Sequence, residues 1–316
     1  MARVAIVIVT YNSAAEIGGC LEALLKLPEG DAEILVIDNA SSDNTREEVS
    51  ARVSRASNVG LIANSDNAGF AAALNQGVRA TTAPLVLSLN PDAHLVYGLE
   101  AMCAYMEKPG TGAVGGALVG EDGKPQVGFM ARNLPTPAAL VLEVLGINRL
   151  WPGNPANWHY RCLGLDLITP ALVEQPAGAF LMFSRTVWEK VGGWDEQFQP
   201  IWFEDVDFCA RVKSAGYCIY WHPAAIAKHS GSHAINGLNM ENRQRYWYGS
   251  LLRYAAKHHR STAFRTICAA VALGAVGRAV RGFPRNGFQV FAVYGGIVSL
   301  ALAGLLARRN TRVRVV

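Results

Sequence analysis

The sequence predicts an α/β protein with a doubly wound, mostly parallel sheet and a helical, hydrophobic appendage at its C-terminal end. Three observations support this fold class. Apolar runs alternate with amphipathic stretches of helical length over residues 4–89. These runs are followed by groups of Asn, Asp, Ser or Thr residues, as expected where a chain leaves a sheet. After Glu241 the chain has no further Asp or Glu and contains two apolar stretches.

Four strands are predicted in the first part of the chain. The run Val4–Val9 is apolar throughout, which is typical of a strand buried on both faces. Further strands are expected at residues 33–37, 59–63 and 85–89, with helices between them. This alternation implies right-handed crossovers and a parallel sheet.

The second part of the chain is less regular. Residues 131–172 are interpreted as loop-rich, because turn residues interrupt them repeatedly. Regular structure is expected again from residue 175, with a strand followed by a short helix at 185–191. A further helix from Asp205 ends near Gly216, which is a suitable C-cap residue.

The composition narrows the class of protein. The 316 residues are enough for one large domain or for a catalytic domain with an appendage. They are 51% hydrophobic and 17% charged, with a modest net charge of +4. The six cysteines lack a C-x-x-C pair, which predicts reduced thiols in a cytosolic protein. The first apolar run is too short for a signal peptide. Arginines concentrate towards the C-terminus and favour an acidic partner, either anionic lipid or nucleic acid.

Polar side chains follow the predicted strands at the sheet edge where α/β proteins bind ligands. Asp38 and Asp43 follow the second strand, Asn67 lies beyond the third, and Asp92 follows the fourth. Each alone is consistent with a helix cap or an Asx turn. Together they predict a ligand site at this edge. The chain has no G-x-G-x-x-G or Walker A sequence after the first strand, which disfavours a dinucleotide cofactor or a P-loop NTPase.

A dense acidic group lies between aromatic residues further along the chain. Glu204, Asp205 and Asp207 fall within four residues, with Trp202 on one side. An apolar setting and mutual repulsion raise carboxylate pKa values, which is how a proton acceptor is tuned for neutral pH. The same residues also suit the first turn of a helix, with Asp207 and Arg211 as an i,i+4 ion pair. Both interpretations stay open from these residues alone.

Six motifs in a fixed order carry a resemblance to a known family. They are IVIVTYNS, VIDNASSDNT, NAGFAAALNQG, LNPDA, PAGAFLMFSRTVWEKVGGWDEQF and FEDVDFCARVKSAGY, and they cover about residues 3–235. The chain resembles the family 2 glycosyltransferases with a GT-A fold, and within them the rhamnosyltransferase-like branch that builds bacterial cell-surface polysaccharides. The resemblance implies transfer of a sugar from a nucleotide donor to an acceptor hydroxyl with inversion. Deoxythymidine-diphosphate-rhamnose (dTDP-rhamnose) is the first expected donor, and UDP-galactose and UDP-glucose stay open.

The resemblance also implies roles for residues of the donor site. Thr10 and Asp38 are expected at the base and ribose, with Asp38 accepting from a ring N–H. Asn67, Gly69 and Asn75 are expected to shape the nucleotide pocket. The remaining residues expected to bind substrate are Tyr11, Asn12, Asn39, Asp43, Phe70, Asn90, Gly178, Trp202 and Arg211.

Metal binding and proton transfer are assigned by the same resemblance. Asp92 stands in the DxD-type motif and is expected to bind Mg²⁺ or Mn²⁺, while Asn90 replaces its first acid. His229 or His233 is a further ligand, a diphosphate contact or a structural histidine. Asp205 is the first choice as catalytic base, with Glu204 and Asp207 as the alternatives or as its supports.

We expect a GT-A catalytic domain over residues 1–238 and a helical, membrane-associating region over 239–316. The stretch at 267–276 is too short to span a membrane, whereas 287–307 is long enough. Spanning would move arginines across the membrane, so we favour interfacial or re-entrant helices. A true span, packing on the soluble domain and a homodimer interface are the alternatives.

The expected partners follow from this arrangement. They are a nucleotide-sugar donor, a polyprenyl-linked glycan acceptor and the membrane surface, without nucleic acid. The protein is expected in the cytoplasm, peripheral on the inner face of the plasma membrane. A nucleotidyltransferase of nucleotide-sugar synthesis and an inactive nucleotide-sugar-binding homologue are the rival functions.

Overall fold

The computed structural model describes residues 2–28, 30–231 and 237–306. The chain divides into two compact units. The first comprises Met1–Leu134, Arg161–Pro200 and Glu204–Gly237, and the second comprises Pro135–Tyr160, Ile201–Phe203 and the chain from Leu238 onward. This division differs from the predicted one at residue 238, because two earlier segments belong with the C-terminal helices.

The first half of the sheet has the predicted alternation. Its elements are β1 (Val4–Thr10), α1 (Ala14–Leu24), β2 (Ala32–Asp38), α2 (Thr45–Val53), β3 (Val59–Ala63), α3 (Phe70–Ala80) and β4 (Leu85–Leu89). The strands pair in parallel in the order β3-β2-β1-β4. The doubly wound fold class is therefore confirmed for this half. Strand β1 is buried over its whole length, as its continuous apolar run predicted.

One glycine allows a helix to lie directly on this sheet. A Cβ atom at Gly77 of α3 would come within 2.3 Å of Cγ1 of Val7 in β1. Any side chain there would displace α3 and, with it, the loop before the helix. The small residues of the NAGFAAALNQG motif therefore have a packing role as well as a predicted binding role.

The other half of the sheet is mixed. Its elements are β5 (Ala93–Tyr97), α4 (Leu99–Met106), β6 (Thr111–Val119), β8 (Ala171–Leu172), β10 (Phe180–Ser184), α8 (Arg185–Val191), α9 (Glu204–Ser214) and β11 (Cys218–His229). Beyond β4 the strand order is β10-β6-β11-β5, with β8 added beside β11. Strand β10 is antiparallel to both β4 and β6, and β11 is parallel to β6. A separate two-stranded ladder joins β7 (Ala131–Arg132) to β9 (Gln175–Pro176).

The second unit is helical in the part of the chain that the structure describes. Its helices are α5 (Pro137–Val144), α6 (Ile147–Leu150), α7 (Pro155–Tyr160), α10 (Met240–His258), α11 (Ser261–Asn286) and α12 (Gln289–Leu306). The prediction of a loop-rich segment at 131–172 is wrong for α5 to α7. Helix α5 starts with Thr136 as its N-cap and Pro137 in its first turn, and Arg278 of α11 donates to the carbonyl oxygens of Glu143 and Val144.

Helix α11 also corrects the predicted length of the first apolar stretch. It runs over 26 residues, so it is not too short to cross a membrane. By length and composition Ser261–Arg285 and Gln289–Leu306 could both span a bilayer. This is weak support for membrane contact, because core helices of soluble proteins pass the same test. The arginines at 308–314 lie outside the described residues.

Candidate active site

Asp38 lies at the carboxyl end of β2, beside Thr10 at the end of β1. Its side chain is fully buried, and its carboxylate accepts from Oγ1 of Thr10 at 3.1 Å and Nε of Arg46 at 2.6 Å. The backbone N–H and the hydroxyl of Ser41 donate to it as well. A carboxylate has about four lone-pair positions, so these four donors satisfy it. In this arrangement Asp38 orders the loop after β2. For Asp38 to accept a hydrogen bond from a ring N–H of a bound base, one of these four donors would have to leave.

The neighbouring polar residues tie the loops of this edge together. Oδ1 of Asn12 accepts from the N–H of Ser42 at 2.8 Å, and Asp43 accepts from the N–H of Ala14 at 3.1 Å. Burial raises the pKa of Asp43, but hydrogen bonds from Thr45 and Ala14 outweigh it and hold the value below its usual range. The ring of Tyr11 is exposed at the same edge. Of these predicted residues, only Tyr11 offers a large open surface for stacking.

A second group of amides shapes the loop before α3. Nδ2 of Asn39 donates to Oδ1 of Asn67 at 2.8 Å, and the same oxygen accepts from the N–H of Gly69 at 3.0 Å. Gly69 has a φ of 86°, a conformation that favours glycine. The N–H of Phe70 then donates to the carbonyl oxygen of Pro200. The side chains of Asn67 and Asn39 and the carbonyl oxygen of Pro200 therefore fix this loop at the edge formed by β1 to β3.

The side-chain amide of Asn75 is hydrogen-bonded at both its nitrogen and its oxygen. It is buried, and its Nδ2 donates to the carbonyl oxygen of Trp194 at 2.8 Å and to Glu196 at 2.9 Å. Its Oδ1 accepts from the N–H of Trp194 and the indole N–H of Trp188. The described structure therefore uses the whole amide to join α3 to the 188–196 segment. Asn75 therefore supports the packing of α3 against this segment, and its predicted place in the nucleotide site stays a prediction.

Asp92 and His229 face each other at the end of β4 and the end of β11. Oδ1 of Asp92 lies 3.6 Å from Nε2 of His229, and both residues are buried. Nδ1 of His229 lies 2.9 Å from Oε1 of Gln126, whose Nε2 donates to the carbonyl oxygen of His229. The oxygen of Gln126 requires a proton on Nδ1, so the lone pair of neutral His229 is on Nε2. Burial lowers the pKa of His229 although Asp92 opposes this, which favours the neutral ring.

These two side chains fit a divalent cation. A carboxylate oxygen and an imidazole lone pair face each other without a proton between them, and a cation removes their repulsion. The described residues contain no group of three or more His, Cys, Asp or Glu side chains that could hold a metal. Substrate phosphates and water would therefore complete the coordination, as is usual for Mg²⁺. The alternative ligand His233 lies outside the described residues.

Asn90 anchors the turn that carries Asp92. Its backbone N–H donates to the carbonyl oxygen of Ala179 at 3.0 Å, and its carbonyl accepts from the N–H of Ala93. The neighbouring Gly178 donates its N–H to Oδ2 of Asp205 at 3.1 Å. The turn before β10 therefore contacts the Asp92 turn on one side and Asp205 on the other. Sequence reasoning placed Gly178 among the binding residues without this connection.

The three carboxylates of α9 have different surroundings. Asp207 is fully buried and pairs with Nε of Arg211 at 2.8 Å, as the i,i+4 spacing predicted. Nη1 of Arg211 donates to the carbonyl oxygens of Val191 and Gly193, so this pair is structural. Burial raises the pKa of Asp205, while the Gly178 N–H and the charge of Arg132 oppose the rise. Asp205 is therefore the acid of this stretch that combines a raised pKa with defined hydrogen-bond donors.

Glu204 is buried, and its Oε2 has no hydrogen-bond partner in the described part of the chain. Burial, together with the charge of Asp205, raises the pKa of Glu204 well above its usual value. Trp202 has a φ of 80° and belongs to the second unit.

Residues that the sequence did not single out complete this site. Gln175 and Arg132 act on Asp205, Gln126 fixes the ring of His229, and Arg46 pairs with Asp38. Gln175 and Asp205 are far apart in sequence, so no spacing rule connects them. Arg46 follows the VIDNASSDNT motif directly, and its charge beside Asp38 and Asp43 was a usable signal.

The fold and the site together define a class of protein. The mostly parallel central sheet with flanking helices is the architecture of the GT-A fold. Glycosyl transferase family 2 matches residues 5–167, which is more than half of the chain. The chain belongs to this family and is a glycosyltransferase. Glycosyl transferase family group 2 also matches residues 156–307.

Curated relatives and solved structures agree with this assignment. The chain is 29% identical over 274 residues to N-acetylglucosaminyl-diphospho-decaprenol L-rhamnosyltransferase of Mycobacterium tuberculosis, covering 81% of each protein. It is 26% identical over 233 residues to the probable glycosyltransferase YdaM of Bacillus subtilis, covering 71% of this chain and 50% of the relative.

Two solved structures share the fold. The mannosyltransferase PcManGT of Pyrobaculum calidifontis, in complex with GDP-Man and Mn²⁺, has a TM-score of 0.55 at 17% identity, covering 95% of this chain and 80% of that one. S. aureus TarS 1-349 in complex with UDP-GlcNAc has a TM-score of 0.59 at 14% identity, covering 96% and 82%. The predicted GT-A fold and family resemblance are confirmed.

Proposed function

We propose that this glycosyltransferase transfers rhamnose from dTDP-rhamnose to a polyprenyl-diphosphate-linked N-acetylglucosamine acceptor. The similarity to the mycobacterial L-rhamnosyltransferase carries this proposal, because it extends over 81% of both proteins. The acceptor named for that relative is a decaprenol-linked N-acetylglucosamine. The rival expectation of a nucleotidyltransferase has no support from the family match.

The chemistry assigns different tasks to the two sides of the site. Asp205 removes the proton from the acceptor hydroxyl as that oxygen attacks the anomeric carbon of the donor. A buried carboxylate with a raised pKa is a stronger proton acceptor than an exposed one, which suits this task. Attack on the face opposite the departing diphosphate inverts the anomeric carbon, and the carboxylate belongs on that face.

Asp92 and His229 are proposed to hold Mg²⁺ or Mn²⁺. A bound ion supplies positive charge to the diphosphate as it leaves. Both structural neighbours named with a metal, PcManGT and GalNAc-T7, were solved with Mn²⁺. Gln126 keeps the Nε2 lone pair of His229 available, and the Asn90 turn fixes the position of Asp92.

The second unit is proposed to bind the cytoplasmic membrane surface, where a polyprenyl-linked acceptor is presented. Helix α11 exposes large apolar side chains at intervals that place them on one helical face. These residues are Leu273, Val276, Val280 and Phe283. Arginines are present on the same helix, and acids are absent from residue 242 onward, which favours anionic headgroups. The interfacial arrangement expected from the sequence is kept as part of this proposal.

Replacing Asp205 tests the assignment of the base. Asp205→Asn keeps the shape of the side chain but removes the proton acceptor, so we expect turnover of dTDP-rhamnose with the lipid-linked acceptor to fall about 10²–10⁴-fold. Donor binding, followed by the rise in melting temperature with dTDP-rhamnose and Mn²⁺, should stay unchanged.

Asp122→Asn is the matched control, because Asp122 is an exposed acid on a turn of the same unit. Turnover close to wild type in Asp205→Asn would contradict the assignment. Transfer from UDP-glucose or UDP-galactose in preference to dTDP-rhamnose would contradict the proposed donor, and failure of the wild-type chain to transfer any sugar would favour the inactive homologue.

A further inference from the structure

Gln175 has a buried side-chain amide that donates a hydrogen bond to Asp205. Its side chain lies in β9 and is 2% exposed. Nε2 donates to Oδ2 of Asp205 at 3.0 Å and to the carbonyl oxygen of Pro176 at 2.9 Å. Gly178 donates its N–H to the same carboxylate oxygen at 3.1 Å. Oδ2 therefore receives two donors from one short segment, while Oδ1 accepts from the N–H of Val206 on its own helix.

The segment that supplies these donors is held firmly on the sheet. Strand β9 pairs with β7, so that Gln175 lies opposite Arg132, and the N–H of Ala177 donates to the carbonyl oxygen of Met130. A Cβ atom at Gly115 would come within 2.2 Å of Cβ of Pro176, which shows how closely β9 lies against β6. The hydroxyl of Ser88 in β4 donates to the carbonyl oxygen of Gly178 at 2.8 Å. Oδ2 of Asp205 is therefore tied to the rigid part of the molecule.

The orientation of the amide has a second consequence. Oε1 of Gln175 is buried without a hydrogen-bond partner in the described residues. Turning the amide over would place this oxygen against the carboxylate, where two acceptors repel each other unless Asp205 is protonated. The observed orientation leaves one acceptor unsatisfied and directs a donor at the carboxylate, which favours its ionised form.

The charges around Asp205 do not by themselves favour its ionised form. Among the described residues the positive charge that acts on it is Arg132 from β7, and the neighbouring titratable groups on α9 are Glu204 and Cys209. Burial raises the pKa of all three groups on α9, so burial and the neighbouring acid both disfavour a second negative charge here. The neutral donors to Oδ2 act in the same direction as the charge of Arg132 and favour the ionised form of the carboxylate.

We propose that Gln175 is a positioning residue for the catalytic base, which holds Oδ2 of Asp205 so that Oδ1 faces the acceptor hydroxyl in its ionised state. This inference rests on the proposed function, in which Asp205 is the base. Gln175 does not touch the reacting atoms; it acts through the carboxylate. The expected signature is therefore a change in the pH dependence of turnover, and not only a lower rate.

The test uses the full chain with dTDP-rhamnose and the lipid-linked acceptor. Gln175→Met removes the donor at nearly constant volume, and Gln175→Glu places a second carboxyl group beside Asp205. We expect the acidic limb of the kcat/KM profile to move to higher pH by about one unit in Gln175→Met, since a hydrogen bond to a charged group has about that effect. The shift should be larger in Gln175→Glu, while the KM for the donor changes little.

Glu174→Gln is the matched control. Glu174 is the adjacent residue, but it accepts from the N–H of Leu134 and pairs with Lys213, away from Asp205. Its acidic limb should stay in the wild-type position. Melting temperatures show whether each variant is folded, and Gln175→Glu, which keeps the size of the side chain, serves as the second variant if Gln175→Met is not.

If the acidic limb of the kcat/KM profile stays in the wild-type position in folded Gln175 variants, the inference is wrong, whether or not the rate falls. The Asp205→Asn variant separates this outcome from failure of the proposed function. If Asp205→Asn retains turnover, the base is misassigned. If Asp205→Asn is inactive while the Gln175 limbs do not move, only the role of Gln175 is wrong.

Discussion

At the scale of single residues, the acids of α9 show how surroundings decide the role of a carboxyl group. Asp207 has an arginine partner and is structural. Asp205 accepts from three neutral N–H donors, and the positive charge of Arg132 also acts on it, which suits the proposed role as a proton acceptor. Glu204 is buried, and its Oε2 lacks a hydrogen-bond partner among the residues that the structure describes. Three carboxyl groups within four positions therefore have three different environments.

The raised pKa of Glu204 predicts a pH-dependent stability. The folded protein favours the protonated side chain, so the unfavourable burial of the charge is absent below the usual pKa and grows as the pH rises towards the raised value. Glu204→Gln should therefore match the wild type in melting temperature near pH 4. At pH 8 it should be more stable by about 1–3 kcal/mol, the usual cost of an unsatisfied buried group.

Thermal unfolding between pH 4 and pH 9 measures this difference. Glu189→Gln is the control, because Glu189 is an exposed acid in the same unit. A stability difference between Glu204→Gln and the wild type that is the same at every pH would show that the effect is packing and not ionisation.

The Asp92–His229 pair predicts metal binding that depends on both side chains. Asp92→Asn replaces the charged oxygen, and His229→Leu removes the imidazole nitrogen that faces it. We expect each to weaken binding of Mn²⁺ in the presence of dTDP at least tenfold, because loss of a metal ligand costs at least as much as loss of an outer partner. Calorimetric titration of the full chain measures the affinity. Asp122→Asn should bind as the wild type does, and unchanged affinity in Asp92→Asn would place the ion elsewhere.

At the scale of elements, the first half of the sheet could be predicted because its signals are local. Each strand from β1 to β4 is a short apolar run with turn residues after it, and parallel pairing follows from the helices between them. The mixed half could not be predicted in the same way. Strand β10 lies between β4 and β6 and is antiparallel to both, and no property of its own residues specifies these partners.

The site shows the same division. Asp38, Asp92 and Asp205 were identified because motifs surround them, and the structure places them at strand ends or on a helix start. Gln175 was not identified, because the contact with Asp205 depends on how β9 packs against the sheet. Asn75 was given a binding role because it lies in a motif, yet its amide is fully used between helix and loop. A motif shows that a residue matters but does not distinguish binding from support.

At the scale of the whole molecule, the acidic residues and the long apolar helices occupy different parts of the chain. The first unit contains the proposed donor site, and the second contains the apolar helices α11 and α12 together with the segment Pro135–Tyr160. Every Asp and Glu of the chain precedes the long apolar helices α11 and α12. This distribution is expected of an enzyme whose donor is water-soluble and whose acceptor is anchored in lipid.

The exposed face of α11 predicts how the protein binds membranes. The full chain should sediment with vesicles that contain anionic lipid, and high salt should weaken this binding because the arginines contribute to it. Replacing Leu273 and Val280 together by Asn should weaken sedimentation at least tenfold, since each loses apolar burial worth roughly 1 kcal/mol or more. Leu172→Asn is the matched control, because Leu172 is exposed to 65% in the first unit and Leu273 to 67% in the second.

Alkaline carbonate should release the wild-type chain from cell membranes, since interfacial helices are not retained as spanning helices are. Retention after carbonate would show that α11 and α12 cross the bilayer, and equal sedimentation of the double variant would show that this face of α11 does not contact lipid.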